Sequence, residues 1–207
     1  MTTNREPLID PVKLSDLRPT QITVGLREVH EKQRQWREHL DKDGPAFLGR
    51  HMIPVVIGPK KRCYIVDHHH LARALMDEGV EDVLVDPLAD LSGLGKDAFW
   101  VFLDHRGWCF PYDAAGRRVD FDQIPKSVAE MRDDPWRSLA GELRRAGGFA
   151  KDPTPFAEFL WADFLRRRIK ARLLQHDFPA ALTQALTLAK DKAAQFLPGW
   201  CGPDPIG

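Results

Sequence analysis

Three consecutive histidines, His68, His69 and His70, follow Asp67 and run directly into Leu71-Ala72-Arg73-Ala74-Leu75. Imidazole is a proton carrier near neutral pH, a hydrogen-bond donor or acceptor, and a metal ligand. The place of the run adds to this. A short β-branched stretch, Tyr64 to Val66, stops at the aspartate, and helical spacing begins after it, with Leu71, Ala74 and Leu75 on one face. A strand that hands over to a helix exposes unpaired N–H groups at the positive end of the helix dipole, which suits an anion such as phosphate. Asp67 also has the makings of a helix N-cap, and one histidine in a first turn is unremarkable. Three imidazoles beside a carboxylate make a ligand site the better reading. Neighbouring side chains diverge along strand or helix, so at most two of the three rings meet one small ligand.

Other residue groups could join this chemistry. Arg73, further along the histidine helix, counts with His68, His69 and His70 as a phosphate-binding residue. Arg137 follows Asp133-Asp134-Pro135-Trp136, a helix start with a carboxylate cap and proline in the first turn, and its guanidinium can clamp a phosphate bidentately. The carboxylates there can also be purely structural. Glu158 and Asp163 lie on Phe156–Leu165, a segment apolar nearly all round, so each must be paired, protonated or useful. Arg137, Lys151 and Arg73 are the expected partners, with Arg137 first for Glu158. Glu28 and Lys32 stand four apart on an earlier helix, the spacing of a surface ion pair. Asp67, His68 and His70 form a candidate metal set. Magnesium or manganese would suit oxygen-rich phosphate chemistry, and zinc would suit histidine pairs.

The elements that must position these groups can be read from pattern. Val24 to Leu40 predicts a helix with Val29, Trp36 and Leu40 buried, ended by Lys42-Asp43-Gly44-Pro45, and Thr20 is placed to cap it. Ile53–Ile57 and Cys63–Val66 predict paired strands across a lysine-rich turn. The histidine helix should end near Gly79, and Val83–Asp86 predicts a strand stopping at Pro87. Lys96–His105 reads as a helix. The rear half is helical, with starts at Asp134-Pro135, at Thr154-Pro155 with a span of 155–175, and at Pro179. The run Arg166 to Arg172 is basic and reads as a solvated helix face.

Composition sets limits. The chain has 207 residues, with 30 basic and 30 acidic side chains and no net charge. Coating of nucleic acid through bulk charge is therefore excluded, while a local basic patch is not. Met1–Pro11 lacks the apolar core of a signal peptide, and no run has membrane-spanning length. Cys63, Cys109 and Cys201 are far apart with no CxxC pair, as expected of reduced thiols in a cytoplasmic protein.

Several segments together resemble a known family. Leu17-Arg18-Pro19-Thr20-Gln21 with Val24-Gly25, Asp67-His68-His69-His70-Leu71, Asp133-Asp134-Pro135-Trp136-Arg137-Ser138-Leu139-Ala140, and Pro155-Phe156-Ala157-Glu158-Phe159-Leu160-Trp161-Ala162 are similar to motifs of the ParB/sulfiredoxin-fold superfamily, within it the ParB-like putative nuclease group. The resemblance spans roughly residues 14–170. It implies an α+β fold with a small mixed sheet over 12–125 and a helical extension over 126–200, in one domain or two. The broader family, which includes a sulfinic-acid-repairing ATPase, a CTP-hydrolysing partition protein and a serine kinase, cradles phosphate at the strand–helix loop. Asp67 matches the aspartate and His69-His70 the paired histidines of an Asp-Gly-His-His-Arg loop. His68 replaces the glycine and Leu71 the arginine, departures that weaken a triphosphate cradle. By resemblance to the serine kinase, Glu28 is a candidate base. Sulfiredoxin chemistry is excluded, because Cys63 lies four residues before the loop.

The resulting expectation is a nuclease or phosphoryl-transfer enzyme taking a phosphate-bearing small molecule, nucleotide or nucleic acid at Asp67–His70. Asp67, His69, His70, Glu28 and Glu158 are its catalytic candidates, assisted by a divalent metal. The alternative is a module that binds nucleotide or DNA without turnover.

Overall fold

The computed structural model describes residues 11–203, the side chains of 41–47 apart. In chain order the elements are β1 (Val12–Lys13), β2 (Thr23–Val24), α1 (Leu26–Arg50), β3 (Ile53–Gly58), β4 (Arg62–Ile65), α2 (His69–Asp77), β5 (Asp82–Val83), β6 (Val85–Asp90), α3 (Lys96–His105), β7 (Arg132–Asp133), α4 (Pro135–Arg145), α5 (Ala157–Arg166), α6 (Ala171–His176) and α7 (Phe178–Lys190). The architecture is α+β, as the sequence implies.

The central sheet has the order β4-β3-β6, with β3 antiparallel to β4 and parallel to β6. Because side chains alternate along a strand, β3 feeds two cores. Ile53 and Val55 pack with Leu71 and Leu75 of α2 and Val29 of α1, while Val56 turns to the aromatic layer of Phe99 and Trp100 on α3. A third core, built on Leu139, Trp161 and Leu165, holds the rear helices together. Front and rear are tied: β2 pairs in parallel with β7, and α4 lies against α1. No helix among the described residues is long and apolar enough to cross a membrane.

Local departures from the sequence expectations have physical causes. Helix α1 runs past Gly44-Pro45 to Arg50, its last turn held by Leu48 against the front core, while Leu40 is half exposed. One backbone bond lost at a proline does not end a helix that packing holds at both ends. Thr20 does not cap this helix. Its first N–H groups, on Leu26 and Arg27, donate to Asp133 Oδ1 and Ser138 Oγ from the other half of the chain. Strand β6 continues through Pro87, where it is an edge strand and the register with β3 shifts, the setting that tolerates a missing donor. The segment 155–175 is two helices, α5 and α6, separated where Ile169 turns into the rear core. Arg166 leaves the basic run to pair with Asp134 at 2.6 Å and is largely buried.

Candidate phosphate site at the α2 and α5 N-termini

Asp67 and His68 make the turn into α2. His68 sits in the left-handed region at φ 65°, its N–H donating to Asp67 Oδ1 and its ring Nδ1 lying 3.2 Å from the Met52 carbonyl. That conformation, uncommon without glycine, sends His69 inward. The His69 ring is buried, and its Nε2 accepts the Thr20 N–H at 3.2 Å, while Thr20 Oγ1 donates to the Ile65 carbonyl. Burial, reinforced by neighbouring His70, pushes the His69 pKa down to about 3, so this ring is a neutral acceptor that locks the Arg18–Gln21 segment to the loop.

His70 has a different setting. Its Nε2 lies 3.0 Å from the Gly25 N–H and 3.1 Å from Glu28 Oε2. The two partners favour opposite protonation states. Gly25 needs a bare nitrogen, and the Glu28 carboxylate needs an N–H. Burial, with the charges of Arg137, Lys32 and Arg145, holds the His70 pKa well below the ordinary value and so favours the Gly25 bond.

Behind His70 lies a cluster brought together by α1 and α4. Glu28 Oε2 is 3.1 Å from Arg137 Nη1, and Glu28 Oε1 is 3.5 Å from Arg145 Nη1. Gly141 makes the room, since a β-carbon there would overlap Glu28 Oε1. The charged start of α4 divides its work. Asp133 caps α1, whereas Asp134 accepts the Trp136 and Arg137 N–H groups and binds Arg166. Ser138 supports α1, and Arg137 faces inward. Arg137 is only 8 % exposed, and its Nε and Nη1 have no hydrogen-bond acceptor among the described residues, the Glu28 contact being off line. A buried guanidinium with unfilled donors is costly and invites an anion.

That guanidinium forms part of the wall of a cavity of about 270 Å³, with Asp67, His69, His70 and Gln21 on one side and Thr154, Pro155, Phe156 and Glu158 on the other. Helices α2 and α5 both begin here, and neither has a side chain capping its first turn. The residue before α5, Phe156, is left-handed at φ 60°, like His68 before α2. Two helix starts without side-chain caps and an underemployed arginine converge on one space. At α5 the Ala157 and Phe159 N–H groups already donate to the Thr154 and Phe156 carbonyls, so the open donors for an oxyanion lie mainly at the start of α2.

Several candidates from the sequence have other partners or positions than expected. Glu158 pairs with Arg144 at 3.2 Å, not with Arg137, and is about a third exposed, because α5 turns that edge to the cavity mouth. Asp163 is held by Arg166 and Arg167. Glu28 is not paired with Lys32, which donates to Gln35; it lies behind His70 and Arg137, away from the cavity wall. Arg73 is bound to Asp77 and to the Met131 carbonyl, outside the cavity. The metal set Asp67, His68 and His70 does not converge: the His68 ring is tied to Met52, and His70 Nε2 to Gly25 and Glu28. Among the described residues no three ligating side chains are placed to hold a metal ion.

The structure also brings in residues absent from the candidate set. Thr20, Gln21 and Gly25 lie in a motif that the family resemblance carries, and that was their available signal. Arg145 had none, because it meets Glu28 across 117 residues of chain.

Comparison with known proteins places the fold. Residues 10–167 match the family model described as "Putative ParB-like nuclease". The crystal structure of protein Atu1540 from Agrobacterium tumefaciens is 51% identical and superposes with a TM-score of 0.88, covering 96% of this chain and 100% of that one. Among curated proteins nothing matches.

Proposed function

Since this chain belongs to the family described as "Putative ParB-like nuclease", we propose that the cavity between α2 and α5 binds a phosphate group of a nucleotide or nucleic acid and that His70 handles the proton in its hydrolysis. The observation that carries this reading is Arg137, buried at the cavity wall with its Nε lacking an acceptor while its Nη1 is turned to Glu28. A phosphate oxygen fills the Nε position, and the free N–H groups at the start of α2, with that of Glu158 in α5, take the others.

The roles follow from the contacts. Arg137 fixes and neutralises the phosphate. As the anion offsets the Arg137 charge, one cause that depresses the His70 pKa is removed, and His70 gains proton affinity. Its Nε2 then exchanges the Gly25 N–H for the Glu28 carboxylate. In hydrolysis, with the Nε2–H held by Glu28, the bare Nδ1 of His70 takes the proton of the attacking water as the new P–O bond forms. The proton returns to the leaving oxygen as the old P–O bond breaks. Glu28 acts through His70 and Arg137 as a positioning residue. His69 holds Thr20, and Asp67 holds the loop. No step runs through a metal, because the candidate ligands do not converge. The three free cysteines fit action in a reducing compartment, the cytoplasm.

A second reading, binding without turnover, draws support from the hold that Gly25 already has on His70 Nε2. One experiment separates the two. The purified protein is assayed for binding and cleavage with a single-stranded oligonucleotide, a duplex and a nucleoside triphosphate. Under the catalytic reading, His70→Gln retains binding but slows cleavage about 100-fold or more, the usual scale for a lost general acid–base group. Arg137→Lys weakens binding itself. Cleavage by His70→Gln at the wild-type rate would remove His70 from the chemistry, and saturable binding without cleavage by the wild type would favour the second reading.

A further inference from the structure

A separate cavity of about 320 Å³ lies over the β3–β4 turn, between α3 and the segment 121–126, and shares no residue with the histidine cavity. Its floor is aromatic. Tyr64 and Phe99 lie 4.6 Å apart between ring centroids, Phe99 and Trp100 5.4 Å, and Trp100 stacks on Phe121 at 5.9 Å with 12° between planes. Gly58 permits this layer, because a β-carbon there would meet the Tyr64 and Phe99 rings at 2.6 and 2.7 Å.

The rim is cationic: Arg18, Lys60, Arg62, Lys96 and Lys126. Arg18 Nη1 donates to the Lys126 carbonyl at 2.6 Å, which draws these two together. No ion pair holds Lys60, Arg62, Lys96 or Lys126 among the described residues, and the one carboxylate in the lining, Asp122, accepts from Gln123. In a chain with no net charge, five cations around one cavity are a segregated patch. Lys60 stands in the turn at φ 61°, a left-handed position that glycine or asparagine fills with less strain.

We infer that this cavity is a nucleotide-binding site distinct from the histidine cavity, with a base packed on the half-buried Tyr64 and Phe121 rings, backed by the buried Trp100, and its phosphate among the lysines of the rim. A bare phosphate has no use for the aromatic floor, and an apolar ligand has none for the rim. A nucleotide uses both, and the cavity has the size of a small-ligand site. Pro19 lines this cavity and Gln21 the histidine cavity, two residues on, so at most about 7 Å of chain separates them. A single strand seated by one base here brings a neighbouring phosphate toward Arg137. The inference concerns binding alone and stands whether or not His70 performs hydrolysis.

The test uses the full chain with two probes, a free 5′-mononucleotide by calorimetry and a fluorescein-labelled single-stranded decamer by anisotropy. The double substitution Lys60→Glu with Lys126→Glu leaves the fold intact, since both side chains are exposed, and should weaken binding at least 10-fold. For the decamer, the log–log salt slope should also fall by about 1.4, at about 0.7 per phosphate contact on a single strand. Trp100→Phe, which keeps the ring packing, should remove ligand-induced quenching of tryptophan fluorescence. Where charge reversal weakens binding, a decamer bound at least 10-fold more tightly than the mononucleotide identifies a strand as the source of the nucleotide, and equal affinities identify the free nucleotide. Unchanged affinity for both probes in the charge-reversed protein, or no binding of either by the wild type, overturns it. Arg137→Lys, assayed in parallel, reports the histidine cavity separately.

Discussion

Replacing Arg137 with methionine should lower the free energy of unfolding by about 3 kcal/mol, the scale for orphaning a buried charge. The cause is what stays behind. Glu28 is 12 % exposed, and without Arg137 it keeps only Arg145, at 3.5 Å, and a neutral His70. Adding Glu28→Gln should restore most of the loss, because the pair is then removed whole. Glu158→Ala supplies the contrast. Its partner Arg144 and Glu158 itself are each about a third exposed, so the change should stay below about 1 kcal/mol. Urea unfolding of the four proteins reads all of this. A loss below about 1 kcal/mol for Arg137→Met, or no recovery in the double variant, would mean that Glu28 is not held as a buried anion.

Acidification should unfold the protein earlier than its carboxylates alone require, and His69 should be a main cause. Above pH 6.5 the ring is neutral in both folded and unfolded chains and nothing is lost. Between pH 6.5 and about 3 the unfolded chain binds a proton that folded His69 refuses, so stability falls as pH falls. Over 3.5 units this reaches about 5 kcal/mol at 1.36 kcal/mol per unit. His70, also depressed, adds to the same slope. Asp134 opposes it at the acid end, since burial raises its carboxyl above the ordinary value despite Arg166. His69→Gln, which keeps an acceptor for Thr20 and cannot titrate in this range, should flatten the dependence of the urea midpoint between pH 7 and 5. An equal slope in the variant would show that His69 does not stay neutral in the fold.

Much of the frame was legible because local chemistry dictates it. The β-branched run Ile53–Ile57, the helix Lys96–His105 and the Asp134-Pro135 start form where their patterns place them. The histidine loop was legible as a strand–helix junction at a cavity. Its division of labour was not, since sequence gives no sign that His69 turns inward to accept Thr20 while His70 turns to Glu28. Pairings across long loops were equally hidden. Arg137 was read beside Glu158 on the assumption that the apolar α5 buries all its acids, whereas α4 turns Arg137 toward α1 and offers Arg144 to Glu158. Glu28 looked like a surface residue by its spacing to Lys32. Only the approach of α4, made close by Gly141, shows it to be enclosed. The cavity over the β3–β4 turn left a faint trace, the lysine-rich turn itself, which on its own is any solvated hairpin.

The most direct measurement at the histidine cavity is the arginine Nε–H spectrum of ¹⁵N-labelled protein, with the Arg137 signal assigned by Arg137→Lys, during titration with a 5′-phosphorylated single-stranded oligonucleotide. The Arg137 Nε has no acceptor among the described residues, so a phosphate oxygen arriving there should shift and sharpen its signal along a saturable curve that matches the binding isotherm. An Arg137 signal that stays in place while the oligonucleotide saturates the protein would contradict a phosphate site between α2 and α5.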